Sequence, residues 1–392
     1  NTTNGVTTNE DGNFSIHKPA RSHMLVVSFI GFENDTIHVD KGNQQLDIVL
    51  REGVELSEVN VVTRKLGTMK LRTSVMNEDM ISSAELTRAA CCNLGESFVT
   101  NPSVDVSYSD AATGAKQIKL LGLSGTYVQM MTENIPNFRG AAAPYGLGYV
   151  PGPWMQSIQV SKGSSSVKNG YESITGQINV EFKKPQLPEA DWVSANLFAS
   201  STNRYEANAD ATVKLSKRWS TSLLAHYENE TKSHDSNDDG FVDIPRVEQY
   251  NVWNRWAYMG DHYVFQAGIK ALHETRNSGQ IAHRNTPSHD LYEIGIKTNR
   301  YEAFTKNAYI FDKEKNTNLA LILQGTLHNQ DANYGRKLYD VDQSNFYASL
   351  LFETELSKQH SLSAGLSFNY DGYDQNYRLT NQAEEGLTKK FV

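Results

Sequence analysis

From Asp191 onward the chain alternates apolar and polar residues at period two. The clearest run sets Tyr205, Ala207, Ala209, Ala211, Val213 and Leu215 against Glu206, Asn208, Asp210, Thr212, Lys214 and Ser216. Others are Tyr263/Phe265/Ala267/Ile269, Phe346/Ala348/Leu350/Phe352 and Leu362/Ala364/Leu366/Phe368/Tyr370. Successive strand side chains point to opposite faces, so the pattern predicts long strands with one apolar and one polar face. Strands of ten or more residues patterned this way suit a transmembrane β-barrel, lipid outside and a wet lumen inside. About nine such strands fit the segment. They predict a curved antiparallel sheet that does not close on itself. Short turns (Ser216–Trp219, Met259–His262, Ser357–His360) alternate with longer connections at 231–247, 274–290 and 329–343, the expected asymmetry of such barrels. Trp219, Trp253, Trp256, Tyr258 and Tyr263 are placed at the interfacial aromatic girdles. A soluble β-sandwich array alternates too, but does not explain strands of this length.

The texture upstream is different. Residues 158–182 are short β-prone runs punctuated by Gly163, Gly170 and Gly176, where positive φ permits tight reversals. Two partner runs precede them, Gln117–Leu123 and Tyr127–Pro136. Between Ser82 and Phe98 a serine followed three places later by Glu85 is a capping-box signature, and Leu94 and Phe98 continue an apolar helical face. Residues 1–51 read as short antiparallel strands, with Asn9-Glu-Asp-Gly12 as a hairpin signal.

Composition narrows the classes. A chain of 392 residues calls for two or three domains. It carries 45 acidic against 37 basic residues and no basic block, which argues against nucleic acid or another polyanion as partner. No run approaches the ~18 apolar residues of a spanning helix. Mean hydropathy of −0.53 fits a barrel with polar lumen as well as a soluble protein. The sequence opens without an initiator methionine or signal peptide and ends in a strand-like run, so a fragment of a longer protein is expected. No Ser/His/Asp arrangement, phosphate loop or zinc spacing stands out, so no enzyme is expected.

The glycine-spaced segment resembles the plug domain of TonB-dependent outer-membrane receptors. Gly122, Leu123, Pro136, Ile158, Val160, Lys162, Gly163, Ser166, Gly170, Ile174, Gly176, Ile178 and Asn179 match that plug's motif in order and spacing. Leu121 stands where the family has arginine, and Glu133-Asn134 replaces Asp-Gly. The first fifty residues resemble the carboxypeptidase regulatory-like β-sandwich that often precedes the plug in Bacteroidetes receptors, with no metal-ligand cluster to suggest peptidase activity. The resemblance implies a mainly β fold in four parts. These are a truncated β-sandwich at 1–51, a linker at 52–64, an α+β plug at 65–185 and an incomplete antiparallel transmembrane β-barrel at 186–392. Closed receptors of this kind have ~22 strands. It further implies an active transporter in the bacterial outer membrane, with plug and N-terminal domain facing the periplasm. TonB, powered by ExbB/ExbD, membrane lipid and a metal-chelate ligand are the partners, with room for a surface lipoprotein. Ferric siderophore is the family's first expectation; copper, haem and cobalamin stay open, as does a non-transporting surface adhesin.

Four sets of residues are singled out. Leu56–Val62, with Leu56, Glu58, Val59 and Val61, is either the strand that pairs with TonB by β-augmentation or an ordinary closing strand. On the plug's outer loops the resemblance points to Tyr108 and Asp110, and to Asn137, Phe138, Arg139, Tyr145 and Tyr149. There a guanidinium framed by aromatics suits an anionic chelate, the alternative being packing against the barrel. Asp235, Asn237, Asp239, the Phe241 carbonyl and Asp243 fall at positions 1, 3, 5, 7 and 9 of an EF-hand-like loop, with Gly240 at 6. The closing glutamate is replaced by Arg246, so calcium and a solvated acidic loop both remain readings. Cys91-Cys92 is a soft-metal pair or, since helix neighbours face apart, one core and one surface cysteine.

Overall fold

A computed structural model describes residues 5–9, 12–16, 24–28, 35–39, 46, 48–49, 69–70, 77–88, 92–98, 101, 103–123, 125–163, 170, 172–185, 193–281, 291–357 and 360–380. The chain divides into two compact units, Asn1–Thr63 and Arg64–Val392. In the first, Gly12 sits at φ +80 and its N–H donates to the Asn9 carbonyl at 3.0 Å, closing the expected turn. Strand β1 (Met24–Val27) pairs antiparallel with β2 (Asp35–His38). Leu56, Glu58, Val59 and Val61 lie outside the described residues.

The second unit holds an inner domain and a wall. The inner domain contributes β3 (Met69–Lys70), β4 (Asn77–Ser82), β5 (Val104–Asp110), β6 (Ala115–Leu120), β7 (Val128–Thr132), β8 (Ile135–Pro136), β9 (Met155–Lys162) and β10 (Gly176–Phe182). Six of these form one sheet in the order β3-β4-β9-β10-β7-β8, in which β10 and β7 run parallel; β5 and β6 form a separate hairpin. Leu94, Leu120, Ile158, Val160, Ile178 and Val180 are fully buried at its centre. Gly176 is needed here: a Cβ would strike the Ser161 carbonyl and the Leu120 side chain. The helix expected over 82–98 is shorter. Helix α1 covers Ser83–Arg88, and a separate turn, Leu94–Glu96, begins after Asn93, whose side chain caps Glu96 N–H. Leu94 and Phe98 are nonetheless buried, as their spacing required.

The wall is a nine-stranded antiparallel meander. Its strands are β11 (Val193–Ala199), β12 (Arg204–Lys214), β13 (Trp219–Glu230), β14 (Arg246–Met259), β15 (Tyr263–Gly279), β16 (Glu293–Asp312), β17 (Thr317–Tyr334), β18 (Lys337–Ser357) and β19 (His360–Leu379). Each pairs only with its sequence neighbours, and β11 does not meet β19, so the sheet is open among the described residues. The connections differ at its two ends. One end has turns such as 215–218 and 260–262; the other has the longer 231–245 and 280–292. At that long-loop end 329–343 is not a loop. Strands β17 and β18 meet at Gly335-Arg336, with Gly335 at φ +59, and both run on through the expected connection. The polar residues there are strand residues standing above the apolar zone. The expected connection 274–290 shrinks for the same reason, since β15 continues to Gly279.

Burial on the wall is inverted relative to a soluble sheet. Glu206, Asn208, His226, Glu228, Gln249, Asn251, Arg255, Lys270, Glu274, Arg276, Arg300 and His328 are all buried, against the inner domain. On the opposite face Tyr205, Leu223, Val252, Ile269, Leu327 and Leu366 are exposed. The apolar stretch of β17 runs from Leu319 to Leu327, about 27 Å along the strand at ~3.4 Å per residue. Tilted by ~40°, it spans about 20 Å, close to the ~25 Å apolar band of a membrane barrel. Trp219, Tyr258 and Tyr263 bound it at the short-turn end, with Trp219 and Tyr258 rings 5.1 Å apart; Trp256 lies on the same face. Trp253 departs from that expectation. Its parity on β14 differs from Trp256 and Tyr258, so it points inward and packs edge-on against Phe182 at 4.6 Å.

Candidate functional site

The inner domain meets the wall across charged and amide side chains. Between β7 and β8, Glu133 and Asn134 both take positive φ, the geometry of a two-residue hairpin turn. The Glu133 carboxylate pairs with Arg255 at 2.5 Å and Lys306 at 3.6 Å, and Lys306 also donates to the Glu133 carbonyl at 2.8 Å. Arg255 reaches the Lys183 carbonyl at 2.7 Å and lies over the Trp253 ring at 4.5 Å. Behind this pair, Asn134 N–H donates to Asn179 Oδ1, whose amide nitrogen in turn donates to Glu181 at 2.6 Å, and Lys184 holds Glu181 at 2.9 Å. Burial drives the Glu181 carboxyl up and the Lys184 ammonium down, each toward its neutral form.

Further contacts repeat the chemistry. Asn137 is clamped by Arg300 at 2.5 Å and Glu302 at 3.0 Å. Lys270 and the Asn251 amide both donate to the Tyr149 carbonyl, at 3.3 and 3.0 Å. Arg276 donates to the Thr113 carbonyl at the tip of the β5–β6 hairpin, at the wall's long-loop end. Arg204 spreads its fork over three carboxylates: Glu96 of the inner domain at 3.0 Å, Glu206 at 2.7 Å and Glu228 at 3.0 Å. Polar contacts of this kind can be exchanged for water. They share the seam with apolar packing, since Trp154 and Phe182 meet Trp253 and wall residues Leu224, Leu272, Ile294 and Ile296 join the buried cluster of the inner domain; it is the polar part of the contact that water can replace.

The fold and this seam can be set beside known proteins. Residues 70–177 match the family model for the TonB-dependent receptor plug domain, and residues 1–62 that for the CarboxypepD_reg-like domain. The chain carries a TonB-dependent receptor plug domain. Its fold is similar to that of the siderophore receptor PiuA from Acinetobacter baumannii (TM-score 0.60, 12% identity, 78% of this chain and 48% of that one). It is similar to the ferripyoverdine receptor of the Pseudomonas aeruginosa outer membrane (0.63, 13%, 79% and 45%) and to the copper transporter OprC (0.63, 11%, 79% and 47%). The chain thus spans about half the length of these solved receptors. No functionally curated protein matches it.

In receptor terms the inner domain is the plug, and the residues singled out on its outer loops separate. Asn137, Phe138, Tyr145 and Tyr149 are buried and form no open ligand surface in this structure. Their rings cover wall cations: Arg276 lies 4.8 Å over Tyr145 and Arg300 5.7 Å over Phe138. Arg139 bridges plug to wall, paired with Glu172 at 2.5 Å and Asp371 at 3.1 Å. Gly140 beside it suits its place, because its φ of +58 disfavours a side chain and a Cβ would also crowd the Tyr373 hydroxyl and the Gln343 amide. Tyr108 stays exposed, and Asp110 accepts from Ala112 N–H and the Thr113 hydroxyl within its own turn.

The acidic loop closes on itself. Asp235 accepts from Asp239 and Gly240 N–H at 3.1 and 2.9 Å, Asp239 from Phe241 N–H at 2.8 Å, and Asp243 from Ser236 N–H at 2.7 Å. Asn237 donates to Asp239 at 3.0 Å. Those Ser236 bonds hold the Asp243 carboxyl below its usual range. Among the described residues no three His, Cys, Asp or Glu side chains gather where a metal ion would sit. Cys92 is buried, and burial beside Glu206 pushes its thiol far up, against a thiolate metal ligand; Cys91 lies outside the described residues. Sequence reasoning missed the seam itself. The only trace was charge on the polar parity of the strands, which says nothing of pairing with a plug.

Proposed function

We propose that the chain supplies the plug and part of the barrel wall of an active transporter in the bacterial outer membrane. It takes up a metal chelate, a ferric siderophore first among them, and draws energy from TonB with ExbB/ExbD in the inner membrane. The observation that carries this reading is the pairing of an inside-out wall with a separately folded plug, joined to it by many exchangeable polar contacts beside a shared apolar patch. A domain built so can block a pore and still move. The outward apolar face of the wall, banded by aromatics at one end, supports membrane residence with lipid as its solvent. The plug tip lies at the long-loop end, which this reading turns toward the cell exterior, with the N-terminal unit in the periplasm.

A metal chelate fits better than bare copper. Met131 and Met155 are buried and Met130 is partly buried against the plug core, a poor set for a soft ion that needs sulfur on an open surface. The exposed Tyr108, with the Lys116 ammonium 5.5 Å above its ring, is instead an aromatic surface with a cation beside it. The test is growth of an uptake-deficient strain expressing the full-length receptor, with ferric chelates, haem, cobalamin and copper offered separately. Growth on a ferric chelate, lost when TonB is deleted, is expected. Rescue by copper alone would overturn the chelate assignment.

A further inference from the structure

Only seven non-glycine residues among those described take positive φ, and three fall within six positions: Glu133 at +50, Asn134 at +61 and Phe138 at +54. They bracket β8, the two-residue edge strand of the plug sheet, which pairs on one side only. Asparagine adopts such φ readily; glutamate and phenylalanine do not. The turn's first position is where the family's motif carries aspartate, and its second where it carries glycine. Here the backbone strain is borne by a longer acid.

Something must hold that turn, and it lies across the seam. Arg255 and Lys306 of the wall grip the Glu133 carboxylate, and Lys306 grips its carbonyl as well. Behind the hairpin is a cavity of about 20 Å³, bounded by Thr132, Glu133 and Asn137 on one side and Lys270, Glu302 and Gln324 on the other. That is room for about one water. The Gln324 side-chain oxygen is buried and has no protein donor, so a water there would be held by polar neighbours.

We propose that the Glu133–Pro136 hairpin is a strained latch, locked by Arg255 and Lys306, and that the passage through the receptor opens between it and strands β15–β17. Releasing the carboxylate lets the turn relax out of positive φ. Displacing β8 breaks a sheet ladder with β7 alone, together with the packing of Ile135 on Ile322 and Tyr347 and the Arg300 and Glu302 contacts of Asn137, and the small cavity behind widens first. The proposal rests on the reading of the chain as plug and wall of a pore.

The test uses full-length receptor in planar lipid bilayers, with potassium chloride current as the probe. Glu133→Gln keeps the strained φ but loses the ionic grip, so leak current should rise at least tenfold over wild type. Glu133→Gly leaves Arg255 equally unpaired but removes the strain, so it should stay near the wild-type current. Thermal melting of both variants checks that each remains folded. Equal leak from both would show that the ion pair alone seals the pore, and no leak from either would show that the hairpin is not the gate; each overturns the latch. Receptor lacking residues 70–177 gives the current of the unplugged pore. No current there would overturn the pore reading and the latch with it.

Discussion

Arg204 shows what a single side chain does in this interface. Its guanidinium touches Glu96, Glu206 and Glu228 together, with Glu230 buried nearby on the same strand as Glu228. Planar, five-donor geometry lets it serve three carboxylates at once, which a lysine could not. Arg204→Ala leaves Glu206 and Glu228 facing one another in a buried site, where removing one partner of an ion pair costs about 3–5 kcal/mol, while the partly exposed Glu96 loses less. A clear drop in the melting temperature of the detergent-solubilised full-length receptor is expected. Adding Glu206→Gln should restore part of it, because one uncompensated charge is gone. Trp253 teaches the complementary lesson. It was grouped with Trp256 as an interfacial residue on residue type, whereas its parity on β14 already assigned it to the inner face, beside Phe182 and Arg255.

For the wall strands, depth along the strand decides what a substitution costs. Leu323 sits in the middle of the apolar stretch of β17, and Asn329 on the same face stands beyond it. A lysine at a bilayer midplane costs about 2–4 kcal/mol and near the interface about 0–1. Leu323→Lys should therefore lower the yield of folded, heat-modifiable receptor in outer-membrane fractions, while Asn329→Lys leaves it close to wild type. The strands were legible because alternation is a local property, repeated nine times. Loop lengths were less so. At 329–343, Asn329, Asp331, Asn333, Asp340 and Asp342 have the composition of a loop, yet they pair in register as strand residues outside the apolar band. The helix at 82–98 erred the other way, since an apolar face at helical spacing is equally served by a helix, a break and a second turn.

Across the whole molecule the two kinds of contact are distributed unevenly. Wall strands share continuous ladders, up to twenty register pairs between β18 and β19. The plug sheet is small, and its edge strand β8 makes two. Local opening follows the density of such contacts. Hydrogen exchange of the full-length receptor, read by mass spectrometry, should protect β13–β17 longest and β9–β10 next, with Thr132–Phe138 exchanging fastest within the plug. Protection of that hairpin equal to β10 would contradict the ordering. The plug was recognisable from glycine spacing because tight reversals admit few alternatives, as Gly176 shows. Its outer loop was legible only as an alternative, because Asn137, Phe138, Tyr145 and Tyr149 have the chemistry of either a binding surface or a packing surface, and here all four are buried. The packing contacts come from Arg276, Arg300 and Lys270 across the seam, which local sequence does not reveal.

If the long-loop end faces outward as proposed, the tight join at Gly335-Arg336 changes what the cell shows to its surroundings. Strand β18 is 21 residues long, about 70 Å at ~3.4 Å per residue, and a bilayer uses roughly half of that. In a receptor oriented as proposed, the remainder rises above the lipid as a stiff continuation of the sheet, paired with β17 on one side and β19 on the other, its amides already bonded. A protease needs an extended, unpaired segment and finds none along it. An antibody raised against this part of the surface would read a rigid β-face rather than a loop peptide.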